Sequence, residues 1–175
     1  MIARIFSDLG LDMGHHVTAN TSEDKRIRTF AKDADLGGFE SYCRDRDALA
    51  DTWAFKVPAF RTRINEFSSV MRNPRFVITF RDILAVTVRN QIAIGVEFMD
   101  ALRQAAKGYS TLVEQVSKVN CPILLISYEK SLQYPRETVS AIAEFCGVKL
   151  TTEEVIRLAE RNIINGDPRY HGGQQ

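Results

Sequence analysis

The stretch that decides the fold is RFVITFRDILAVTVRN, residues 75–90. It begins with a compact run of apolar and β-branched residues that has the length of a strand buried on both faces. A helical pattern starts at Ile83, so the chain changes from strand to helix within a few residues. Arg81 and Asp82 occupy the junction. The stretch predicts a strand that leads directly into a helix, with two charged residues where the strand ends.

A second stretch, CPILLISY at residues 121–128, has the same composition and predicts a second buried strand. The chain from Ile83 to Val119 is helical in pattern, and Gly108 is the expected break between two helices. Strands separated by helices indicate an α/β fold with a mostly parallel sheet, whose ligands bind at the carboxyl ends of the strands. Within this segment one continuous apolar seam is expected, formed by Met99, Leu102, Ala106, Tyr109, Val113 and Val116.

Shorter patterns complete the prediction on either side of this central region. In the N-terminal part we expect three helices and one strand: a helix from Ile2 ended by Gly10, a helix from Glu23 to Lys32 capped by Thr21 or Ser22, a strand TWAFKVP at 52–58, and a helix from Phe60 to Met71 stopped at Asn73 and Pro74. In the C-terminal part we expect a helix from Val139 to Cys146 closed by Gly147, and a capping box of Thr151 with Glu154.

Bulk composition limits the classes of function. A chain of 175 residues is enough for a single domain over residues 1–175. The net charge of +1 argues against general nucleic-acid binding, and no apolar run is long enough to span a membrane. The three cysteines, Cys43, Cys121 and Cys146, are an odd number without metal-site spacing. Buried free thiols are expected, which favours a reducing, cytoplasmic location.

Arg81 is the first candidate for chemistry. An arginine at the carboxyl end of a buried strand, just before a helix starts, is well placed to donate two parallel hydrogen bonds to a phosphate. The alternative is an ion pair between Arg81 and Asp82 at the end of the strand that has no role in binding.

Lys56 could stabilise negative charge that develops on a transferring group. Its alternative is a lysine that lies along Trp53 and keeps its ammonium group in water. Glu23 and Asp24 are candidate bases, or else carboxylates that complement a helix dipole. His15 and His16 could act as a base near neutral pH, or form a solvated loop pair. No metal site is expected, because no ligand-type residues follow the histidines at zinc-site spacing.

Four stretches together resemble the sulfotransferase family, and they occur in the order that the family has. ARIFSDLGLDMG resembles the helix after the family's phosphate loop, and TWAFKVPAF resembles its Trp–Lys–Asp–Pro stretch. RFVITFRDILAVTVRN resembles the strand, Arg-Asp-Pro and helix segment. ILLISYEKSLQYPRETVSAIAEFCGVKLTTEEVIRL resembles the later strand, Tyr-Glu-Asp-Leu, proline and helix.

The resemblance implies a fold, a donor and site residues. The fold would be an α/β, three-layer, parallel-sheet, P-loop-containing domain. The reaction would transfer a sulfuryl group from 3′-phosphoadenosine 5′-phosphosulfate to a hydroxyl or amine of a small-molecule or carbohydrate acceptor, without a metal. Arg81 and Arg89 would bind the 3′-phosphate, and Lys56 would act at the bridging oxygen. Glu23, or a histidine at position 15 or 16 (His15 or His16), would serve as the base, whereas Tyr128 and Glu129 would be mostly structural.

The sequence also departs from the family pattern. Arg89 stands where the family has a serine, Ile83 where it has a proline, and Val57 where it often has an aspartate. In the family a strand and a phosphate loop precede the helix that resembles ARIFSDLG. Either Met1 is an internal methionine of a longer protein, or the chain is a shortened relative that lost its donor site. We therefore expect a helix-rich, N-terminally shortened domain of doubtful activity. The rival hypothesis is a non-catalytic binding or interaction module that keeps the fold. A nucleotide kinase is less favoured, because a Walker lysine and acidic magnesium ligands are missing.

Overall fold

The computed structural model describes residues 1–14, 17–18 and 22–164. Within these residues the helices and strands follow one another in an α/β order, with helices predominating. They are α1 (Ile2–Asp8), α2 (Lys25–Asp33), α3 (Leu36–Leu49), a 3₁₀ helix (Pro58–Thr62), α4 (Ile64–Ser68), β1 (Phe76–Phe80), α5 (Ile83–Ile94), α6 (Phe98–Val116), β2 (Ile123–Ser127), α7 (Tyr128–Gln133), α8 (Pro135–Phe145) and α9 (Thr152–Asn162).

Strands β1 and β2 pair in parallel, and each leads into a helix within two residues. The predicted helix-rich α/β fold with a parallel sheet is confirmed. The expectation that both strands are buried on two faces is wrong. Ile78 and Ile126 are buried, but Leu125, next to Ile126, is 58% exposed. Because neighbouring side chains of a strand point to opposite faces, one face of β2 is packed and the other is open, whereas the residues on either side of Ile78 in β1 are half-buried.

The chain divides into two compact units. The first unit contains Met1–Phe76 and Glu114–Pro122, and the second contains Val77–Val113 and the chain from Ile123 onward. The expectation of a single domain over residues 1–175 stays a prediction.

The core of the first unit is built around Phe39 of α3, which is fully buried. The ring centroid of Phe39 lies 5.2 Å from that of Phe60 and 5.1 Å from that of Phe67. Edge-to-face contacts of this kind add to the free energy gained from burying apolar surface. The contacts bring α3 together with the 3₁₀ helix and α4, so one aromatic side chain organises three short elements.

Two predictions about helices of the first unit are corrected. Helix α2 is capped by Asp24, whose carboxylate accepts the backbone N–H groups of Arg26 and Ile27. Ser22, with φ +53°, is therefore not the cap of α2, and Thr21 lies outside the described residues. The helix expected from Phe60 to Met71 forms instead as the 3₁₀ helix and α4. Local spacing marked the buried side chains correctly here but not the type or length of the helices.

The strand predicted at 52–58 is reduced to one bridge. Trp53 pairs with Asp12, and the N–H of Ala54 donates to the carbonyl of Asp12 at 2.9 Å. A ladder needs a partner segment that runs alongside for several residues, whereas this segment meets its partner at one point. The 3₁₀ helix then starts at Pro58.

The long helical region breaks at Gly95, not at Gly108. Gly95 ends α5 with φ +68°, a conformation that glycine adopts without strain, whereas Gly108 lies inside α6. The predicted seam of α6 is also wrong: Met99 and Val113 are exposed, and the buried residues are Ala101, Ala105 and Leu112. The apolar residues of α6 form one broad face, and the buried residues lie along one edge of it, so periodicity alone does not decide which part of the face packs.

The C-terminal elements match the prediction. Helix α8 buries Val139, Ile142 and Ala143, and Gly147 follows it with φ +76°. The capping box at the start of α9 is complete: the Glu154 N–H donates to Oγ1 of Thr151, and the Thr151 N–H donates to the Glu154 carboxylate. These hydrogen bonds lower the pKa of Glu154.

Replacing Thr151 with alanine is expected to lower the free energy of unfolding by about 1 kcal/mol, because the substitution removes a side-chain cap. Urea denaturation followed by circular dichroism measures the change. The matched control is Thr152→Ala, one residue later in the first turn, where the side chain is exposed and caps nothing in the described structure. Equal losses in the two variants would contradict the importance of the cap.

Candidate functional site

The backbone of Arg81 is held by a single hydroxyl group. Its N–H donates to Oη of Tyr109 at 3.1 Å, and the same hydroxyl donates to the carbonyl oxygen of Arg81 at 2.6 Å. The Tyr109 ring also packs on Phe80, with centroids 5.5 Å apart. Tyr109 was expected only as part of an apolar seam, so sequence reasoning missed its polar role. Arg81 and Tyr109 are 28 residues apart, which is why no local pattern signalled the contact.

The guanidinium group of Arg81 lies over an aromatic ring. Its Cζ is 4.2 Å from the centroid of Tyr128, a distance at which the ring face attracts the cation. The Nε of Arg81 is buried and has no hydrogen-bond partner among the residues that the structure describes. A buried donor without a partner is costly, so it marks a position where a ligand acceptor would be stabilising. The Tyr128 ring thus supports the arginine, and the expectation that Tyr128 is mostly structural stays a prediction.

The carboxylates near Arg81 accept hydrogen bonds from backbone N–H groups. Asp82 caps α5 by accepting the N–H of Ala85 at 2.9 Å, and its own N–H donates to Oε1 of Glu129 at 2.8 Å. Within the described chain, none of the ion pairs joins Arg81 to Asp82. The alternative of a simple Arg81–Asp82 pair therefore does not describe this junction. Glu129 connects the end of β2 to the end of β1.

These side chains line an open cleft of about 470 Å³ at the carboxyl ends of the two strands. Placement at that edge agrees with the rule for parallel sheets. The two cations of the cleft are Arg81 and Lys130, and Lys130 was not singled out from the sequence. Arg89 is exposed on α5 and is absent from the lining, so its expected phosphate contact stays a prediction. The lining residues are Phe80, Arg81, Asp82, Ser127, Glu129, Lys130 and Gln133.

In the first unit, two of the predicted catalytic residues meet. The Nζ of Lys56 donates to Oε1 of Glu23 at 2.8 Å, and Glu23 retains only 16% of its side-chain exposure. The N–H of Glu23 donates to Oγ1 of Thr18 at 3.2 Å, which holds the residue at the start of α2. The residues are 33 positions apart in sequence, so the pairing depends entirely on the fold.

Asp24, the other candidate base, has a structural role. It is 1% exposed, and besides capping α2 it accepts a hydrogen bond from the hydroxyl group of Tyr42, with an oxygen–oxygen distance of 2.8 Å. Burial and this hydrogen bond raise the pKa of Tyr42. Nearby, Arg46 forms an ion pair with Asp12 at 2.8 Å. An added Cβ at Gly14, where φ is +84°, would lie 3.3 Å from Oδ2 of Asp24, so the close approach favours glycine there.

The remaining expected features concern the histidines, metals, thiols and membranes. His15 and His16 lie outside the described residues. Among the described residues, no group of His, Cys, Asp and Glu side chains is arranged to hold a metal ion. Cys43 is a buried free thiol as expected, whereas Cys121 and Cys146 are partly exposed. None of the described helices is both long enough and apolar enough to cross a membrane.

Comparison with known proteins yields one match. A family model described as "Sulfotransferase family" matches residues 4–153, which is most of the chain. The matched range contains the paired residues Lys56 and Glu23 and every residue that lines the cleft around Arg81. No curated protein and no solved structure matches the chain.

Proposed function

The chain belongs to the sulfotransferase family, and from this premise we propose that the cleft around Arg81 binds the adenosine 3′,5′-bisphosphate part of a 3′-phosphoadenosine 5′-phosphosulfate donor. In the family resemblance, Arg81 is the residue that would bind the 3′-phosphate. The proposal concerns a cleft whose lining lies wholly within the second unit.

The observation that carries the proposal is the guanidinium group of Arg81, which lies over the Tyr128 ring and whose buried Nε has no hydrogen-bond partner among the described residues. A planar guanidinium group offers parallel N–H donors that match the oxygens of a phosphate. Stacking on the ring fixes the plane of these donors, so less side-chain entropy is lost when the anion binds. The residues present therefore fit an anionic ligand.

The charge balance of the cleft also supports an anion. Asp82 and Glu129 contribute two carboxylates, but each accepts a backbone N–H, which disperses part of its negative charge. Lys130 contributes a second cation to the lining. Its N–H donates to the Ser127 side chain, so the residue is held in the first turn of α7. A phosphate would meet two cations there.

For the transfer step, the donor would supply an activated sulfuryl group, and the acceptor would be a hydroxyl or amine of a small molecule or carbohydrate. Lys56 would stabilise negative charge on the leaving oxygen, as a cation does at a developing oxyanion. Glu23 would accept the acceptor's proton. Because Glu23 is bound to Lys56 at 2.8 Å, it has to exchange that contact for the acceptor before it can act as a base.

Calorimetric titration of the purified chain with adenosine 3′,5′-bisphosphate tests the proposal. Adenosine 5′-monophosphate, which lacks the 3′-phosphate, is the matched ligand control. We expect the bisphosphate to bind at least about tenfold more tightly, since charge-assisted hydrogen bonds to arginine would be lost with the monophosphate. Equal affinities, or no binding to folded protein, would refute a 3′-phosphate site at Arg81.

The second candidate function is a binding module that does not catalyse transfer. The ion pair between Lys56 and Glu23 favours it, because each proposed catalytic group neutralises the other. The absence of Arg89 from the lining of the cleft favours it too. Incubation with radiolabelled donor and a panel of hydroxyl and amine acceptors separates the two functions: nucleotide binding without any labelled product indicates the module, and labelled product indicates the enzyme.

A further inference from the structure

We propose that Tyr109 is a positioning residue that sets the orientation of Arg81 for binding an anion. The inference rests on the proposed function, because it concerns the same cleft, and it adds a residue that is not among those lining the cleft. Tyr109 acts through the backbone of Arg81, since both of its hydrogen bonds go to main-chain groups of that residue.

Arg81 lies between the end of β1 and the start of α5. The strand ends at Phe80, so the N–H and the carbonyl of Arg81 lie just past the last residue of the strand. Helix α5 begins at Ile83, so Arg81 also precedes the helix. Backbone groups in such a junction need other partners, and one hydroxyl of Tyr109 serves both the donor and the acceptor. A hydroxyl can do this because it both donates and accepts hydrogen bonds.

The hydroxyl group of Tyr109 is held in a fixed position. Tyr109 lies in the middle of α6, and its ring packs against Phe80, the residue before Arg81. A residue inside a helix has a restricted side chain, and the ring contact restricts it further. The hydroxyl therefore provides a fixed point for the junction, and the short 2.6 Å hydrogen bond to the carbonyl of Arg81 indicates a close fit.

The backbone of Arg81 sets the direction of its side chain. When both main-chain groups of Arg81 are held, its φ and ψ are restricted, and so is the direction in which its side chain leaves the chain. That direction places the guanidinium group over Tyr128 and leaves Nε buried without a partner. Loss of the Tyr109 hydroxyl would release the junction and allow the guanidinium group to leave the ring. Anion binding would then have to restrict a mobile side chain.

The test uses the whole chain and the variant Tyr109→Phe, which removes the hydroxyl and keeps the ring. We expect the arginine Nε–H resonance of Arg81, assigned with Arg81→Lys, to lose its dispersion and its slow exchange with water. We also expect adenosine 3′,5′-bisphosphate to bind about tenfold more weakly. The control is Tyr134→Phe, because Tyr134 is 56% exposed and does not line the cleft. It should match the wild type in both measurements.

Each outcome bears on the inference separately from the proposed function. An unchanged Arg81 resonance in folded Tyr109→Phe would overturn the positioning role, whatever the affinity. If the wild type binds no bisphosphate, the proposed function fails, while the resonance still reports on positioning. If Tyr109→Phe does not fold, amide hydrogen exchange in the wild type tests whether Tyr109 holds the backbone of Arg81. An Arg81 N–H that exchanges as fast as an exposed amide would refute the hydrogen bond to Tyr109, and a protected one would support it.

Discussion

Replacing Arg81 with alanine is expected to weaken the binding of adenosine 3′,5′-bisphosphate by about 100-fold, which corresponds to nearly 3 kcal/mol. The variant removes the guanidinium donors and the cation that lies 4.2 Å from the Tyr128 ring. Hydrogen bonds between a guanidinium group and a phosphate are stronger than those between neutral groups, so their loss dominates the effect. Calorimetric titration measures the dissociation constants of the variant and of the wild type under the same salt conditions.

The matched control for this prediction is Arg103→Ala. Arg103 also belongs to the second unit, but its side chain is 71% exposed, pairs with Asp100 on α6 and does not line the cleft. It changes the net charge by the same amount as Arg81→Ala, so it separates a specific contact from general electrostatic attraction. We expect less than a threefold change, since exposed charges are well screened. Similar losses in both variants would argue against a binding site at Arg81.

Replacing Phe39 with alanine is expected to lower the free energy of unfolding by about 3–5 kcal/mol, the usual cost of removing a buried phenylalanine. Phe39 is fully buried, and its ring contacts those of Phe60 and Phe67 at close to 5 Å. The variant would leave a cavity where α3 meets the 3₁₀ helix and α4. Urea denaturation followed by tryptophan fluorescence is suitable, because the single tryptophan, Trp53, belongs to the same unit.

Leu49→Ala is the control for that measurement. Leu49 lies on the same helix, α3, but it is 73% exposed, so its truncation removes little buried surface. We expect a change within about 0.5 kcal/mol. A loss in Phe39→Ala as small as that in the control would mean that the aromatic cluster does not stabilise the unit.

Much of the local structure could be predicted from the sequence. The stripe of α1, both strands, the α8 pattern and the capping box of α9 are encoded by residues within a few positions of one another. The same information placed Arg81 at the carboxyl end of β1 and led to the family that the comparison then showed. These features follow from helix and strand periodicity and from caps, which depend on near neighbours alone.

Local patterns were insufficient wherever several local choices were nearly equivalent. The break was predicted at Gly108 but lies at Gly95, and the apolar face of α6 is broader than the strip that is buried, so tertiary packing selected the break and the buried residues. The segment TWAFKVP has strand-like composition, but a strand requires a partner along its length, and the fold offers only the bridge to Asp12.

What the sequence determined by itself is the order of the elements, the family, and the position of Arg81 after a parallel strand. Only the tertiary structure decided the partners of the candidate groups: Tyr109 and Tyr128 with Arg81, and Glu23 with Lys56. The physical reason is separation along the chain. These contacts join residues 28 to 47 positions apart, and contacts across such separations form only after packing has brought the elements together.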